Sequence, residues 1–97
     1  MSATAEDIAR HESKQTLHLG ILYNGIRKEV EINRDATVKA LLDRAISLFG
    51  NIPQPHTLAL WTEKGVELTN EQETLKSAGL KDGESLILRP SAVKGGR

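Results

Sequence analysis

The chain has 97 residues, with 13 basic and 13 acidic side chains and a formal net charge of zero, which leaves room for one domain. That balance gives no electrostatic footprint for nucleic acid or an anionic membrane, and no apolar run approaches the length needed to span a bilayer. Cysteine is absent, which removes disulfides, thiolate metal ligands and a cysteine nucleophile, and agrees with a reducing cytoplasm.

The N-terminal stretch MSATAEDIARHESKQ lacks the basic and apolar regions of a secretory signal, and Ile8 is its single strong hydrophobe. Such a segment cannot bury enough apolar surface to offset its ordering entropy, so residues 1–15 are expected to form a disordered arm. Order is expected from Thr16. Leu17, Leu19, Ile21 and Tyr23 recur at period two, and Val30 and Ile32 resume that spacing after a break. Asn24-Gly25 between them suits the positive φ angles of a tight hairpin, so two antiparallel strands are predicted there.

In RDATVKALLDRAISLFGN, Val38, Leu41, Leu42, Ala45, Ile46 and Phe49 follow the spacing of a helix with one buried face. Thr37 or Asp35 can cap its start, Gly50-Asn51 offers a positive-φ exit, and Pro53 and Pro55 prevent continuation. A strand is predicted around Leu58–Trp61, followed by a turn at Lys64-Gly65 and a short strand holding Val66 and Leu68. The polar stretch TNEQETLKSAGLKDGES predicts a short helical turn anchored by Leu75 and Leu80, with a further turn at Asp82-Gly83. SLILRP closes the order as a last strand, with Leu86 and Leu88 on one face and Pro90 marking where it leaves the sheet. SAVKGGR lacks periodicity and is expected to be a flexible tail, so the ordered domain spans 16–90. These elements make an α+β domain with one amphipathic helix packed on one sheet face. The predicted core is Leu17, Leu19, Val30, Ile32, Val38, Leu42, Ile46, Leu58, Leu60, Leu68, Leu75, Leu80, Leu86 and Leu88.

Few residues offer chemistry. His11, His18 and His56 do not stand at ligand spacing, so no metal is expected, and no serine sits in a nucleophile elbow. GLKDGES lacks the strand-to-helix setting of a phosphate loop, so no nucleotide or other cofactor is expected. The chain is not expected to be an enzyme. Trp61 alternates away from Leu58 and Leu60, which makes it either an exposed contact residue or a side chain tucked against the sheet edge by a bulge or strand twist.

The element order and several of its residues resemble ubiquitin and its β-grasp relatives. EVEINRDATVKALL is similar to the family's second strand, helix cap and helix start. GNIPQPHTLAL is similar to its helix exit and third strand. In KGVELTNEQETLKSAGLKDGESLIL, Leu68, the pair Thr74-Leu75 and the pair Ser85-Leu86 fall at family-like spacing. Gly95-Gly96 then stands at nearly the family's distance from the last strand. The resemblance covers roughly residues 16–96 and implies a mixed β-grasp sheet.

It also implies the chemistry of a protein modifier. The carboxylate of Gly96, with Gly95 beside it, would be adenylated by an activating enzyme, carried as a thioester to a conjugating enzyme, and joined to an amine of a protein target. Glycine suits this role because a backbone without Cβ lies extended in a narrow channel and brings little bulk to the carbonyl under attack. Arg97 blocks that carboxylate, so the resemblance implies a precursor from which a processing peptidase removes Arg97. Lys14, in the arm, is the candidate acceptor for building chains. A monomer in a bacterial cytoplasm, served by its own activating enzyme and peptidase, fits this picture.

Two departures bear on partners. The tail RPSAVKGG carries only Arg89 and Lys94 as basic residues, so an activating enzyme other than ubiquitin's is expected. The positions matching ubiquitin's exposed aliphatic patch fall near Ala59 and Arg89, which weakens that patch and leaves Trp61, Ala59 and Arg89 as the candidate partner surface. Two other functions share the fold. One is a non-covalent interaction module with an inert tail. The other is a sulfur carrier, which Arg97 disfavours because such carriers end directly at Gly-Gly.

Overall fold

The computed structural model describes residues 15–94. The expectations for the N-terminal arm, Lys14, Gly95, Gly96 and Arg97 fall outside the described residues.

Strand β1 (Thr16–Tyr23) turns at Asn24-Gly25 into β2 (Ile26–Asn33), and the two pair antiparallel from Thr16 opposite Asn33 to Tyr23 opposite Ile26. Asn24 (φ 54°) and Gly25 (φ 81°) both take the left-handed angles that match a two-residue turn to the twist of its strands. Helix α1 (Val38–Phe49) follows. Its cap is Thr37, whose Oγ1 accepts from the Ala40 N–H at 3.1 Å. Gly50 ends it at φ 77°, donating its N–H to Ile46. A 3-10 turn (Pro55–Thr57) leads into β3 (Leu58–Thr62), and β4 (Ser85–Pro90) completes the sheet.

The strands lie in the order β2-β1-β4-β3, with β4 parallel to β1 and antiparallel to β3. Helix α1 covers one face of this mixed sheet, turning Val38, Leu41, Leu42 and Ala45 inward. Those side chains meet Leu17, Leu19, Ile21, Val30, Ile32, Leu58, Leu60, Leu86 and Leu88 in a single core. Of the predicted core, only Ile46 and Leu68 are partly exposed. Ile21, Leu41, Ala45, Ile52 and Ala59 are buried in addition.

The segment from 63 to 84 differs from expectation. The predicted strand at Val66 and Leu68 reduces to an isolated bridge between Trp61 and Glu67, flanked by hydrogen bonds from Thr62 N–H to Val66 O and from Leu68 N–H to Leu60 O. Val66 is exposed, so alternation around it has no buried face to define. Among the described residues this segment holds no regular helix or strand, and it is instead fastened to the start of α1. Val38 and Lys39 donate their N–H groups to the carbonyls of Glu73 and Glu71, and Leu75 and Lys76 donate theirs to those of Ala36 and Arg34. The helix thus has its first orphan donors satisfied by the loop backbone, and the loop gains a fixed course in return. Leu75 and Leu80 are its buried anchors, as predicted.

Candidate functional site

The sheet face turned away from α1 is built by alternation. With Leu17, Leu19 and Ile21 committed to the core, His18, Gly20 and Leu22 of β1 point outward, joined by Arg27, Glu29 and Glu31 of β2. Ala59 and Trp61 of β3, and Ser85, Ile87 and Arg89 of β4, complete the face. The registers set Arg27, Leu22, Ile87 and Trp61 in one row across all four strands. Leu22 is 37% exposed, while Ile87 and Trp61 are half-buried.

Both ends of the row carry an arginine. The Arg89 guanidinium lies 4.6 Å from the Trp61 ring centroid. Trp61 therefore falls between the two expectations, a half-buried ring covered by a cation. Its indole N–H is shielded from solvent and meets no acceptor among the described residues. Arg27 reaches across Gly20, donating to Glu29 Oε2 at 2.9 Å and to Ser85 Oγ at 3.2 Å. A Cβ on Gly20 would stand 2.2 Å from Arg27 Nη2, so glycine is what lets the guanidinium lie flat there. Ala59 pairs with Arg89 across the ladder but is only 1% exposed, so of the three predicted contact residues Trp61 and Arg89 alone present surface. A methyl group is too short to rise beyond the side chains of a sheet face.

His18 sits at the border of this face. Its Nε2 is 3.0 Å from Glu31 Oε2 and its Nδ1 is 3.0 Å from Asp82 Oδ1, while its backbone N–H donates to the same Asp82 oxygen at 2.6 Å. The hydrogen bond to Asp82 is the main cause that raises the His18 pKa above its ordinary value. Asp82 is held below the usual carboxylate range, chiefly by the backbone N–H of His18. His18 stands at no ligand spacing in the sequence, and the 64-residue separation from Asp82 explains why no local pattern marks the pair.

A second cluster lies where the chain leaves β4. Ser91 is buried, and its N–H donates to Thr57 O at 2.8 Å. Its hydroxyl is hydrogen-bonded to Glu67 Oε2, and the Ala92 N–H donates to Glu67 Oε1 at 2.9 Å. Val93 and Lys94 donate their N–H groups back to Ser91 Oγ at 3.0 and 2.9 Å. Lys94 Nζ donates to Leu58 O at 2.9 Å and forms an ion pair with Glu71. These contacts tie the four residues after Pro90 to the body, although the sequence there shows no periodicity. Beside this cluster α1 and the Pro55–His56 turn enclose an open cleft of about 580 Å³, lined in part by Leu42, Ile46, Glu71 and Lys94.

A four-stranded mixed sheet grasping one helix, with a C-terminal segment leaving the last strand, defines a ubiquitin-like β-grasp protein. The chain belongs to the family described as Protein of Unknown function (DUF2604), whose model matches residues 12–96. No curated protein matches it by sequence. Among solved structures it is similar to the ubiquitin of Caldiarchaeum subterraneum, at 29% identity and TM-score 0.66 over 82% of this chain and 99% of that one. A de novo design based on ubiquitin has 24% identity and TM-score 0.69 over 86% and 98% of the two chains. The ubiquitin-like domain of yeast Ddi1 has 20% identity and TM-score 0.65 over 79% and 91%.

Proposed function

We propose that this chain is a protein modifier made as a precursor. Water cleaves the Gly96–Arg97 peptide bond in a peptidase, freeing the Gly96 carboxylate. That carboxylate attacks ATP in an activating enzyme and forms an acyl adenylate, with pyrophosphate leaving. An enzyme cysteine thiolate then displaces AMP to give a thioester, and a target amine displaces the thiol to leave an amide bond. The observation that carries this reading is placement: Gly95 and Gly96 stand five and six positions after Pro90, the end of β4, in a ubiquitin-like fold. The expected surroundings are a bacterial cytoplasm with dedicated activating, conjugating and processing enzymes.

Gly96→Ala tests it. The substitution adds a single methyl group, and folding stability should stay within about 0.5 kcal/mol of the parent. Covalent adducts in the native host should disappear. Undiminished adducts from the variant would overturn the reading.

The row Arg27, Leu22, Ile87 and Trp61 favours a second reading, a non-covalent interaction module that uses its outer sheet face. Such a module keeps its partner when residues 95–97 are deleted, whereas a modifier loses every adduct.

A further inference from the structure

We propose that Ser91–Lys94 is a strap that holds the base of the C-terminal tail against the body and has to open before Gly96 can enter an enzyme's site. This rests on the modifier reading and adds the control of that site.

The strap is fastened at two points. At the first, both oxygens of the Glu67 carboxylate are engaged, one by the Ser91 hydroxyl and one by the Ala92 N–H. Ser91 Oγ also accepts from the N–H groups of Val93 and Lys94, so one hydroxyl folds the next three residues back on themselves. At the second, Lys94 Nζ bridges the Leu58 carbonyl and the Glu71 carboxylate. The Lys94 and Glu71 side chains are only 28% and 24% exposed, whereas a lysine on a solvated tail keeps its ammonium in water. Glu71 is itself held in place, because its carbonyl accepts from the Lys39 N–H at the start of α1. The two carboxylates that grip the strap come from the segment between β3 and β4, so the tail is clipped to the least regular part of the fold.

The strap sets how far Gly96 can reach. Two residues beyond Lys94 extend at most about 7 Å, whereas six residues beyond Pro90 extend about 20 Å. A channel that draws in an extended tail therefore meets a short one while the strap is closed. Opening frees four residues of chain and exposes the Lys94 ammonium beside the diglycine, where an enzyme can read it.

Amide hydrogen exchange on the full-length protein tests the closed state directly. The Ala92, Val93 and Lys94 amides should exchange at least tenfold more slowly than in an unstructured chain. Exchange at the unstructured rate would overturn the proposal. Trypsin supplies the second test, since cutting after Lys94 requires its side chain in the protease pocket. Release of residues 95–97, followed by intact mass, should be at least tenfold faster in the double variant Glu67→Ala/Glu71→Ala than in the parent. Cleavage after exposed Lys64 should be unchanged and so reports an intact body. Equal release from both proteins would overturn the strap. The exchange measurement needs no substitution, so it decides the matter even where the double variant unfolds. Neither test involves a conjugating enzyme, so a failed strap leaves the modifier reading standing. A protected strap in a host without Gly96 adducts removes the modifier reading instead.

Discussion

Leu75→Ala probes whether the segment from 63 to 84 belongs to the same cooperative unit as the sheet and helix. Leu75 has 0% exposure, although it lies in a stretch with neither helix nor strand among the described residues. Its surroundings cannot collapse easily into a cavity. Its N–H donates to Ala36 O at 2.8 Å, its carbonyl accepts from Leu80 N–H at 3.1 Å, and Lys76 is tied to Arg34 O. Truncating a fully buried leucine costs about 2–5 kcal/mol, and a pinned backbone places this site in the upper part, about 3–4 kcal/mol. At about 4–8 °C per kcal/mol for a domain of this size, the melting temperature should fall by roughly 12–30 °C. Urea unfolding followed both by Trp61 fluorescence and by far-ultraviolet circular dichroism reads the change. Coincident transitions shifted to lower urea are expected. A loss below about 1 kcal/mol, or two separate transitions, would refute the view that Leu75 locks this loop into the core.

Arg89→Ala should strip the cation from the Trp61 ring, shifting its emission to the red and costing about 0.5–1 kcal/mol of stability. An unmoved spectrum would contradict the stacked geometry. The clamp formed by His18, Glu31 and Asp82 should depend on pH in a defined direction. Protonated His18 is favoured in the folded protein, so its contribution holds below its ordinary pKa and fades as pH rises through the raised value. Ionised Asp82 is favoured too, so its contribution holds above the ordinary carboxylate value and is lost as pH falls through the depressed one. The pair is therefore strongest between those limits. A titration of the imidazole by NMR should show an elevated pKa that moves back toward its ordinary value in Asp82→Asn. An unchanged titration in the variant would remove Asp82 as the cause.

Local chemistry made part of this fold legible. Asn24-Gly25 marks a turn because few residues tolerate two successive positive φ angles, and α1 is bounded by Thr37 and Gly50 for equally local reasons. Leu41 and Ala45 lie on the predicted buried face yet stood outside the predicted core, as did Ile21, because period and face alone do not rank depth. The strand predicted at Val66 and Leu68 is only a bridge: two apolar residues at period two say nothing about how many ladder bonds will form. The contacts around Ser91 and Lys94 were invisible for a different reason. Glu67 and Ser91 are 24 residues apart and Lys94 and Leu58 are 36 apart, so neither contact leaves a periodic trace. The outer face was legible at Trp61 and Arg89. Leu22 and Ile87 join that row only through strand order, which a sequence pattern does not supply.

The most direct test of the modifier reading is the intact mass of the protein recovered from its native host, set beside the full-length chain. A processed modifier gives a species lighter by one arginine that ends at Gly96, together with heavier adducts built on it. A single species that retains Arg97, with no adducts, would contradict the modifier reading and leave the outer sheet face as the working surface of the molecule.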